Sequence, residues 1–263
     1  MALFDLQQRR TVAMPLIVCD RLGHIYKSGR GDTTALSDVS LSIAAGEFVC
    51  LLGPSGCGKT TLLNMLAGFI SPTAGKITLA NQPIRGPSPN RGVVFQEYSL
   101  FPWLTVRANV EFGLRMAGMP LNERRMAAKE LLELVGLGAV AAKYPFELSG
   151  GMKQRVAIAR ALATKPDLLL MDEPFAALDA MTRNALQTLI RGIHQQRKTT
   201  IVFVTHNIAE AIFLGDRVVV MSSQQGVVED LDVDLPRPRR RTSPGFNLLY
   251  ERLERCIGVE GVE

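Results

Sequence analysis

One stretch decides the fold of this chain: Gly53-Pro54-Ser55-Gly56-Cys57-Gly58-Lys59-Thr60. It has the pattern G-x-x-x-x-G-K-T, which is typical of a phosphate-binding loop. The apolar run Phe48–Leu52 before it predicts a buried parallel strand, and residues 61–67 after it predict a helix. The glycines therefore stand between a strand and a helix, which is the setting that the motif requires.

The residue types of this loop suit a nucleotide phosphate with a magnesium ion. Glycine has no Cβ, so successive backbone N–H groups can turn toward phosphate oxygens at the positive end of the helix. Lys59 adds a positive charge against the phosphates, and the Thr60 hydroxyl is a ligand that Mg²⁺ accepts. We predict nucleotide contacts from Gly53, Pro54, Ser55, Gly56, Cys57, Gly58, Lys59, Thr60 and Thr61.

Length and composition narrow the class of protein. The 263 residues are 47% hydrophobic, which is enough for one large α/β domain or a domain with a small subdomain. The net charge of +5 is spread along the chain except for one cluster near the C-terminus, so bulk charge gives no reason to expect a nucleic acid partner.

Cysteine usage and hydropathy predict the compartment. The cysteines have no metal-type spacing, and free thiols in a reducing compartment are expected of Cys19, Cys50, Cys57 and Cys256. No apolar run is long enough for a signal peptide or a spanning helix, so we expect a cytoplasmic protein that meets membranes only through partners.

Polar side chains follow three further apolar strands of the predicted sheet. They are Asp172 and Glu173 after residues 168–171, Gln96 after residues 93–95, and His206 after residues 200–205. Ligands bind at the carboxyl edge of a parallel sheet, so these side chains are predicted to face the nucleotide. Asp172 suits Mg²⁺ and its bound waters, and Glu173 is positioned to polarise the attacking water.

Residues 107–142 have helical spacing and predict an inserted helical region. Leu148-Ser149-Gly150-Gly151-Met152 then opens another helix, and its two glycines expose backbone N–H groups in a second anion-binding geometry. The aromatic, proline-broken stretch 100–106 has two interpretations, either core packing or an exposed docking patch.

The C-terminal part of the chain is basic. Residues 235–241 contain two prolines and four arginines, which predict an extended, solvated connector; a weak contact with anionic lipid or a partner is the alternative. A short amphipathic helix is then predicted by the spacing of Phe246, Leu249, Tyr250, Leu253 and Ile257.

These motifs, in this order, resemble the nucleotide-binding subunit of an ATP-binding cassette (ABC) transporter. The resemblance covers nearly the whole chain from about Leu16. The matching residues are the phosphate loop, Gln96 of the Q-loop, Leu148-Ser149-Gly150-Gly151 of the signature, Asp172 and Glu173, Asp179 of the D-loop, and His206 of the switch. Tyr26 is similar to the aromatic residue that stacks on adenine in such proteins.

A narrower resemblance is to importer subunits for nitrate, taurine and aliphatic sulfonates. It is carried by Gly86-Pro87, residues 91–96, the aromatic stretch 100–106 and Leu235-Pro236-Arg237-Pro238-Arg239. Met152 stands where the wider family usually has glutamine, and this group often has the same methionine. The departure leaves Ser149 and the two glycines of the signature intact.

The resemblance implies an α/β fold of the P-loop NTPase class and ABC type. Its RecA-like core sheet would be mostly parallel, with an antiparallel β subdomain and an inserted α-helical subdomain. We divide the chain into an N-terminal extension (1–15), a nucleotide-binding domain (16–232, with the helical subdomain at about 97–165) and a C-terminal basic connector with a short helix (233–263).

The resemblance also implies the site and its cofactors, ATP and Mg²⁺. The expected catalytic residues are Glu173, His206, Gln96 and Lys59, and the expected metal ligands are Thr60, Gln96 and Asp172. ATP would be contacted by Tyr26, by the phosphate loop through Thr61, and by Ser149, Gly150, Gly151 and Asp179.

The implied partners follow from the same family. Two copies would pair head to tail in the ATP-bound state, beside two transmembrane permease subunits, and an extracytoplasmic binding protein would deliver the substrate. The chain would lie peripherally on the cytoplasmic face of the inner membrane, without nucleic acid.

Two alternatives remain. The first is a soluble ABC ATPase of translation or DNA repair, which usually has two cassettes or long coiled coils, and this chain has neither. The second is a phosphate-loop kinase or GTPase; a GTPase should show an N-K-x-D motif, which is not found here, and a kinase gives no reason for the signature.

Overall fold

The computed structural model describes residues 15–29, 31–223 and 226–258, which form two β-sheets and seven α-helices within those ranges. The strands are β1 (Pro15–Tyr26), β2 (Thr33–Ala44), β3 (Phe48–Leu52), β4 (Ala74–Leu79), β5 (Gln82–Pro83), β6 (Arg91–Val94), β7 (Leu168–Asp172), β8 (Thr200–Thr205), β9 (Arg217–Ser222) and β10 (Gly226–Asp232). The helices are α1 (Lys59–Ala67), α2 (Val106–Met116), α3 (Leu121–Leu134), α4 (Gly150–Ala163), α5 (Ala180–Arg197), α6 (Ile208–Leu214) and α7 (Pro244–Gly258).

The larger sheet has six strands in the order β10-β9-β3-β8-β7-β6. All neighbours are parallel except β10, which runs antiparallel to β9. Every residue of β3, β8 and β9 is buried, as expected of parallel strands that are covered on both faces. The prediction of a mostly parallel core sheet is confirmed, and the strands direct their carboxyl ends to one edge.

The smaller sheet is antiparallel, in the order β2-β1-β4-β5. Alternation along β3 explains how the two sheets share a core. Val49 and Leu51 pack in one core cluster with Ile17 and Ile43 of the smaller sheet. The side chains between them, Phe48, Cys50 and Leu52, belong to a second cluster that includes buried residues of the helices α2 to α6.

The helical region consists of α2, α3 and α4, which pack on one another. The single helical pattern predicted for residues 107–142 is divided in the structure. Gly118 has φ +77° and Pro120 follows it, so the chain turns between α2 and α3. Beyond α3 there are only two short 3₁₀ turns before α4 begins.

The basic C-terminal segment differs from its prediction. As predicted, it is not helical before α7, but its arginines are not all solvated. Arg239 is 6% exposed and donates hydrogen bonds to the carbonyls of Ile212 at 2.7 Å and Val233 at 2.8 Å. Burial lowers the pKa of the Arg239 guanidinium to about 10. Carbonyls at the end of a helix offer arginine acceptors that an exposed connector lacks.

Three remaining predictions concern the rest of the chain. The predicted extension, residues 1–15, lies outside the described residues except for Pro15, which begins β1. The amphipathic helix after residue 244 is present as α7, with Phe246 and Leu253 buried in the core. Among the described residues no helix is long and apolar enough to cross a membrane, and all four cysteines are free.

Candidate functional site

The phosphate loop (residues 53–60) connects the buried strand β3 to α1. Gly58 is the N-cap of α1 and has φ +93°; a Cβ at this position would lie 2.4 Å from the Ala35 carbonyl oxygen. Any other residue would therefore be strained and would collide with backbone. The Cys57 side chain is 1% exposed and packs in the core, so this residue can face a ligand only through its backbone.

The Lys59 side chain is held by backbone carbonyls at the start of the phosphate loop. It is nearly buried, and its ammonium group donates hydrogen bonds to the carbonyl oxygens of Gly53 at 2.8 Å and Pro54 at 2.6 Å. These bonds offset the cost of burying a charge. The positive charge therefore lies among the backbone groups of the loop, where phosphate oxygens are expected.

Thr60 and Asp172 are 112 residues apart in sequence and adjacent in space. The Thr60 hydroxyl donates to Oδ1 of Asp172 at 3.2 Å, from the first turn of α1 to the end of β7. Burial raises the pKa of Asp172, while the Thr60 hydrogen bond and the Lys59 charge act in the opposite direction. A hydroxyl beside a carboxylate is a pair of hard oxygen donors, which fits Mg²⁺.

Glu173 and His206 are brought together at the same edge of the sheet. Oε2 of Glu173 lies 3.0 Å from Nδ1 of His206, which follows β8. Glu173 has φ +40°, and its N–H donates to the Val204 carbonyl at 3.1 Å. A non-glycine residue in this left-handed conformation is strained, and such strain concentrates at functional sites.

Gln96 lies two residues beyond β6, which pairs with β7 in the sheet. This position places it on the edge that also carries Asp172. Its side chain is exposed and makes no hydrogen bond with any described residue. The structure therefore brings Gln96 to the predicted edge without joining it to the other side chains of the site.

Tyr26 ends β1 beside the start of α1. Its hydroxyl lies 3.4 Å from Oγ1 of Thr61, and its ring packs edge-on against His24 with centroids 4.5 Å apart. The side chain is 43% exposed. A half-exposed ring beside the phosphate loop is available to stack on a base.

The signature segment (residues 149–151) and Asp179 each stand at the start of a helix. Ser149 is the N-cap of α4 and accepts from Met152 N, and Asp179 is the N-cap of α5 and accepts from Thr182 N. This cap lowers the pKa of Asp179. No hydrogen bond among the described residues joins either group to the phosphate loop.

Two buried polar residues of the site region were missed in the sequence. Asn109 is fully buried, accepts from Phe101 N and donates to the carbonyls of Phe101, Leu104 and Thr105, so it fixes the aromatic stretch. Glu210 is 7% exposed and accepts from Thr205, next to His206. The available signal was a polar residue on the apolar face of a helix.

A family model confirms what this geometry indicates. The model described as "ABC transporter" matches residues 36–176, which is more than half of the chain. The chain belongs to the ABC transporter family.

Relatives in the ABC family include importer subunits. The chain is 54% identical over 226 residues to the taurine import ATP-binding protein TauB of Yersinia pestis, covering 86% of this chain and 85% of the relative. It is 47% identical over 226 residues to the nitrate import ATP-binding protein NrtD of Synechocystis sp., covering 84% and 85%. The predicted resemblance to the nitrate and taurine group is confirmed.

A solved ABC cassette confirms the fold. It is a dimeric structure of the ATP-binding cassette MJ0796 in a post-hydrolysis state, bound to ADP and Pi. It aligns with a TM-score of 0.75 and 34% identity, covering 84% of this chain and all of that chain. The chain is thus an ABC-type ATPase subunit of the P-loop NTPase class.

Proposed function

We propose that this chain is the ATP-hydrolysing subunit of an importer for a small solute such as nitrate, taurine or another sulfonate. The observation that carries the proposal is the edge of the larger sheet, where Thr60 contacts Asp172 and Glu173 contacts His206 beside the phosphate loop. The names of the two importer relatives support the direction and class of transport.

The proposed roles divide the site into binding and chemistry. The phosphate loop and Lys59 bind the phosphates, and the exposed ring of Tyr26 stacks on the base. Glu173 orients the attacking water and accepts its proton, and His206 contacts the terminal phosphate. Thr60, Asp172 and Gln96 would hold Mg²⁺, which when bound neutralises charge that develops on phosphate oxygens.

The signature segment and Asp179 are proposed to act on a second copy of the chain. They lie at exposed helix starts, without a hydrogen bond to the phosphate loop of the same chain. The two glycines leave N–H groups at the positive end of α4 for an anion. Head-to-tail pairing would bring the phosphates of one copy to the signature of the other, and the dimeric state of MJ0796 supports this arrangement.

An exposed aromatic patch is proposed to dock the membrane subunits. The patch consists of Trp103, Tyr144 and Phe146, which are 71%, 40% and 76% exposed. A backbone hydrogen bond of 2.8 Å from Val106 N to the Lys143 carbonyl holds the two aromatic stretches side by side. Exposed rings on a fixed backbone are typical of a protein interface, which favours the docking interpretation of this stretch.

These contacts would place the chain peripherally on the cytoplasmic face of the inner membrane, beside two permease subunits. A separate extracytoplasmic protein would bind the solute and deliver it. We propose no nucleic acid partner.

The test is to purify the Glu173→Gln variant from host membranes with ATP and Mg²⁺ and to identify the proteins that accompany it. A pair of multi-spanning membrane proteins is expected, and a solute-binding protein encoded with them can then be screened for its ligand. Only soluble or ribosomal partners would contradict the importer and support the translation or repair alternative.

The aromatic patch provides a matched control for this purification. Trp103→Ala, added to the same variant, should lose the membrane proteins while ATP binding is retained. Tyr250→Ala removes another exposed ring, on α7, and should retain them. Equal recovery with both substitutions would remove the patch from the docking surface.

A further inference from the structure

A chain of polar contacts connects the basic C-terminal segment to the loop that carries His206. Arg241 donates through Nη2 to Oε1 of Gln187 at 2.5 Å, and Nε2 of Gln187 donates to Oε1 of Glu210 at 3.2 Å. The Thr205 hydroxyl then donates to Oε2 of Glu210 at 2.8 Å. The chain of contacts crosses from residue 241 to the residue before His206.

The centre of this chain of contacts is closed to solvent. Gln187, Thr205 and Glu210 are 0%, 2% and 7% exposed, so the Glu210 carboxylate depends on protein donors. Arg183 lies 3.7 Å from this carboxylate and donates to the Leu178 carbonyl, one residue before Asp179. Glu210 is therefore linked to three segments: to the C-terminal segment through Gln187, to the residue before His206 directly, and to the residue before Asp179 through Arg183.

The same contacts fix the backbone on both sides of His206. Asn207 N donates to the Thr205 hydroxyl at 3.0 Å, and Oδ1 of Asn207 accepts from Glu210 N at 3.1 Å. The His206 side chain is itself 58% exposed, and its Nδ1 is hydrogen-bonded to Oε2 of Glu173. Its direction therefore depends on how firmly its two neighbours are held.

The outer end of these contacts is anchored to both α5 and α6. Arg241 also donates to Oδ1 of Asn184 at 2.9 Å, and its guanidinium lies 5.0 Å from the ring centroid of Phe213. Arg239 donates to carbonyls at the end of α6. The C-terminal segment therefore contacts the end of α6, the helix that begins two residues after His206.

We propose that Glu210 is a positioning residue for His206, and that the C-terminal segment supports ATP hydrolysis through Arg241 and Gln187. The inference rests on the proposed function of His206 in hydrolysis. It gives Arg241, within the basic C-terminal segment, a supporting role in hydrolysis that a residue of a solvated connector would not have.

The first experiment compares Arg241→Ala with Arg240→Ala in the full chain. Arg240→Ala is the matched control because it removes the same charge one residue away. The Arg240 side chain is exposed and has no hydrogen bond or ion pair with a described residue. Arg241→Ala should lower kcat by about 3–30-fold with KM for ATP unchanged, and Arg240→Ala should leave both unchanged. Arg241→Lys, which keeps a donor, should restore part of the rate.

A second readout separates positioning from simple stability. The chain has three histidines, so the ring resonance of His206 can be followed by NMR and assigned with His206→Ala. Arg241→Ala should move this resonance and Arg240→Ala should not. Glu210→Gln keeps the shape of the buried side chain and should also move the resonance and lower kcat, which covers the case in which Arg241→Ala fails to fold.

Several results would overturn the inference. One is an equal kcat for Arg241→Ala and Arg240→Ala, and another is an unmoved His206 resonance. A third is an equal loss of kcat from Arg241→Ala in the wild type and in a His206→Ala background, since a residue that acts through His206 should add nothing there. Absence of ATP turnover in the wild type would instead contradict the proposed function, so the two failures are distinct.

Discussion

Two glycine-rich helix starts, the phosphate loop before α1 and the signature segment before α4, use the same backbone chemistry in different surroundings. Both expose N–H groups at the positive end of a helix. The N-cap of α1 is Gly58 in a left-handed conformation without a side-chain bond, whereas Ser149 caps α4 in an extended conformation with its own hydroxyl.

The surroundings decide what each helix start can do alone. The phosphate loop collects a nearly buried lysine and the Thr60 and Asp172 oxygens within one chain. The signature segment is partly exposed and has no such partners among the described residues. The phosphate loop therefore has a buried charge and two hard oxygen atoms beside its helix start, and the signature segment has neither among the described residues, which supports the proposal that the signature acts on the nucleotide of a second copy.

The largest expected effect separates chemistry from binding on the phosphate-loop side. Glu173→Gln should lower ATP turnover by about 10²–10⁴-fold because the amide cannot accept the proton of the attacking water. ATP binding should persist, and an ATP-bound dimer should accumulate. Turnover by phosphate release and mass by light scattering measure both, with Glu254→Gln on the exposed face of α7 as the control. Turnover close to that of the wild type would remove Glu173 from the role of base.

A smaller effect is expected on the signature side. Ser149→Asp keeps a residue that caps helices well but places a negative charge where a phosphate of the second copy is proposed to bind. Turnover and ATP-induced pairing should fall by roughly 10–100-fold, while ATP affinity of the single chain and the melting temperature stay unchanged.

The matched control for this change is Thr105→Asp. Thr105 caps α2 in the same helical region with the same type of side-chain bond. It should leave pairing unaffected. A loss of ATP affinity in the Ser149→Asp monomer, or equal effects of both substitutions, would mean that the two helix starts do not have the separate roles described above.

The smallest effect tests the proposed stacking of Tyr26 on the nucleotide base of ATP. Tyr26→Ala should weaken ATP binding by about 1–2 kcal/mol, or roughly 5–30-fold, because a stacking ring is lost. Tyr26→Phe retains the ring and loses only the hydroxyl that approaches Thr61, so it should bind nearly as well as the wild type. Isothermal titration of the monomer measures both, and an equal loss in the two variants would attribute the effect to the hydroxyl.

Much of the fold could be predicted because local patterns and tertiary structure agree. The strands β3, β7 and β8 are continuous apolar runs, and each ends at a residue or loop that the sequence marked as functional. The division between α2 and α3 was missed, although Gly118 and Pro120 carried the signal. Helical spacing alone cannot show where a chain reverses direction.

The polar interior was the part that could not be predicted. Asn109, Gln187 and Glu210 lie on the buried faces of their helices, but helical spacing does not show which groups satisfy a buried amide or carboxylate. Their partners come from segments that are distant in sequence, such as Arg241 for Gln187. The same holds for Arg239, which was predicted to be solvated and is buried against the carbonyls at the end of α6.

The sequence by itself determined the class of protein, the phosphate loop and the order of the motifs, because these depend on residue types at short spacing. Only the tertiary structure decided which motifs meet within one chain. Thr60 contacts Asp172 and Glu173 contacts His206 because parallel strands end at one edge, whereas the signature segment begins a helix of the helical region and has no hydrogen bond to these four described residues. Contacts between distant segments are set by the packing of strands and helices, and no local pattern encodes them.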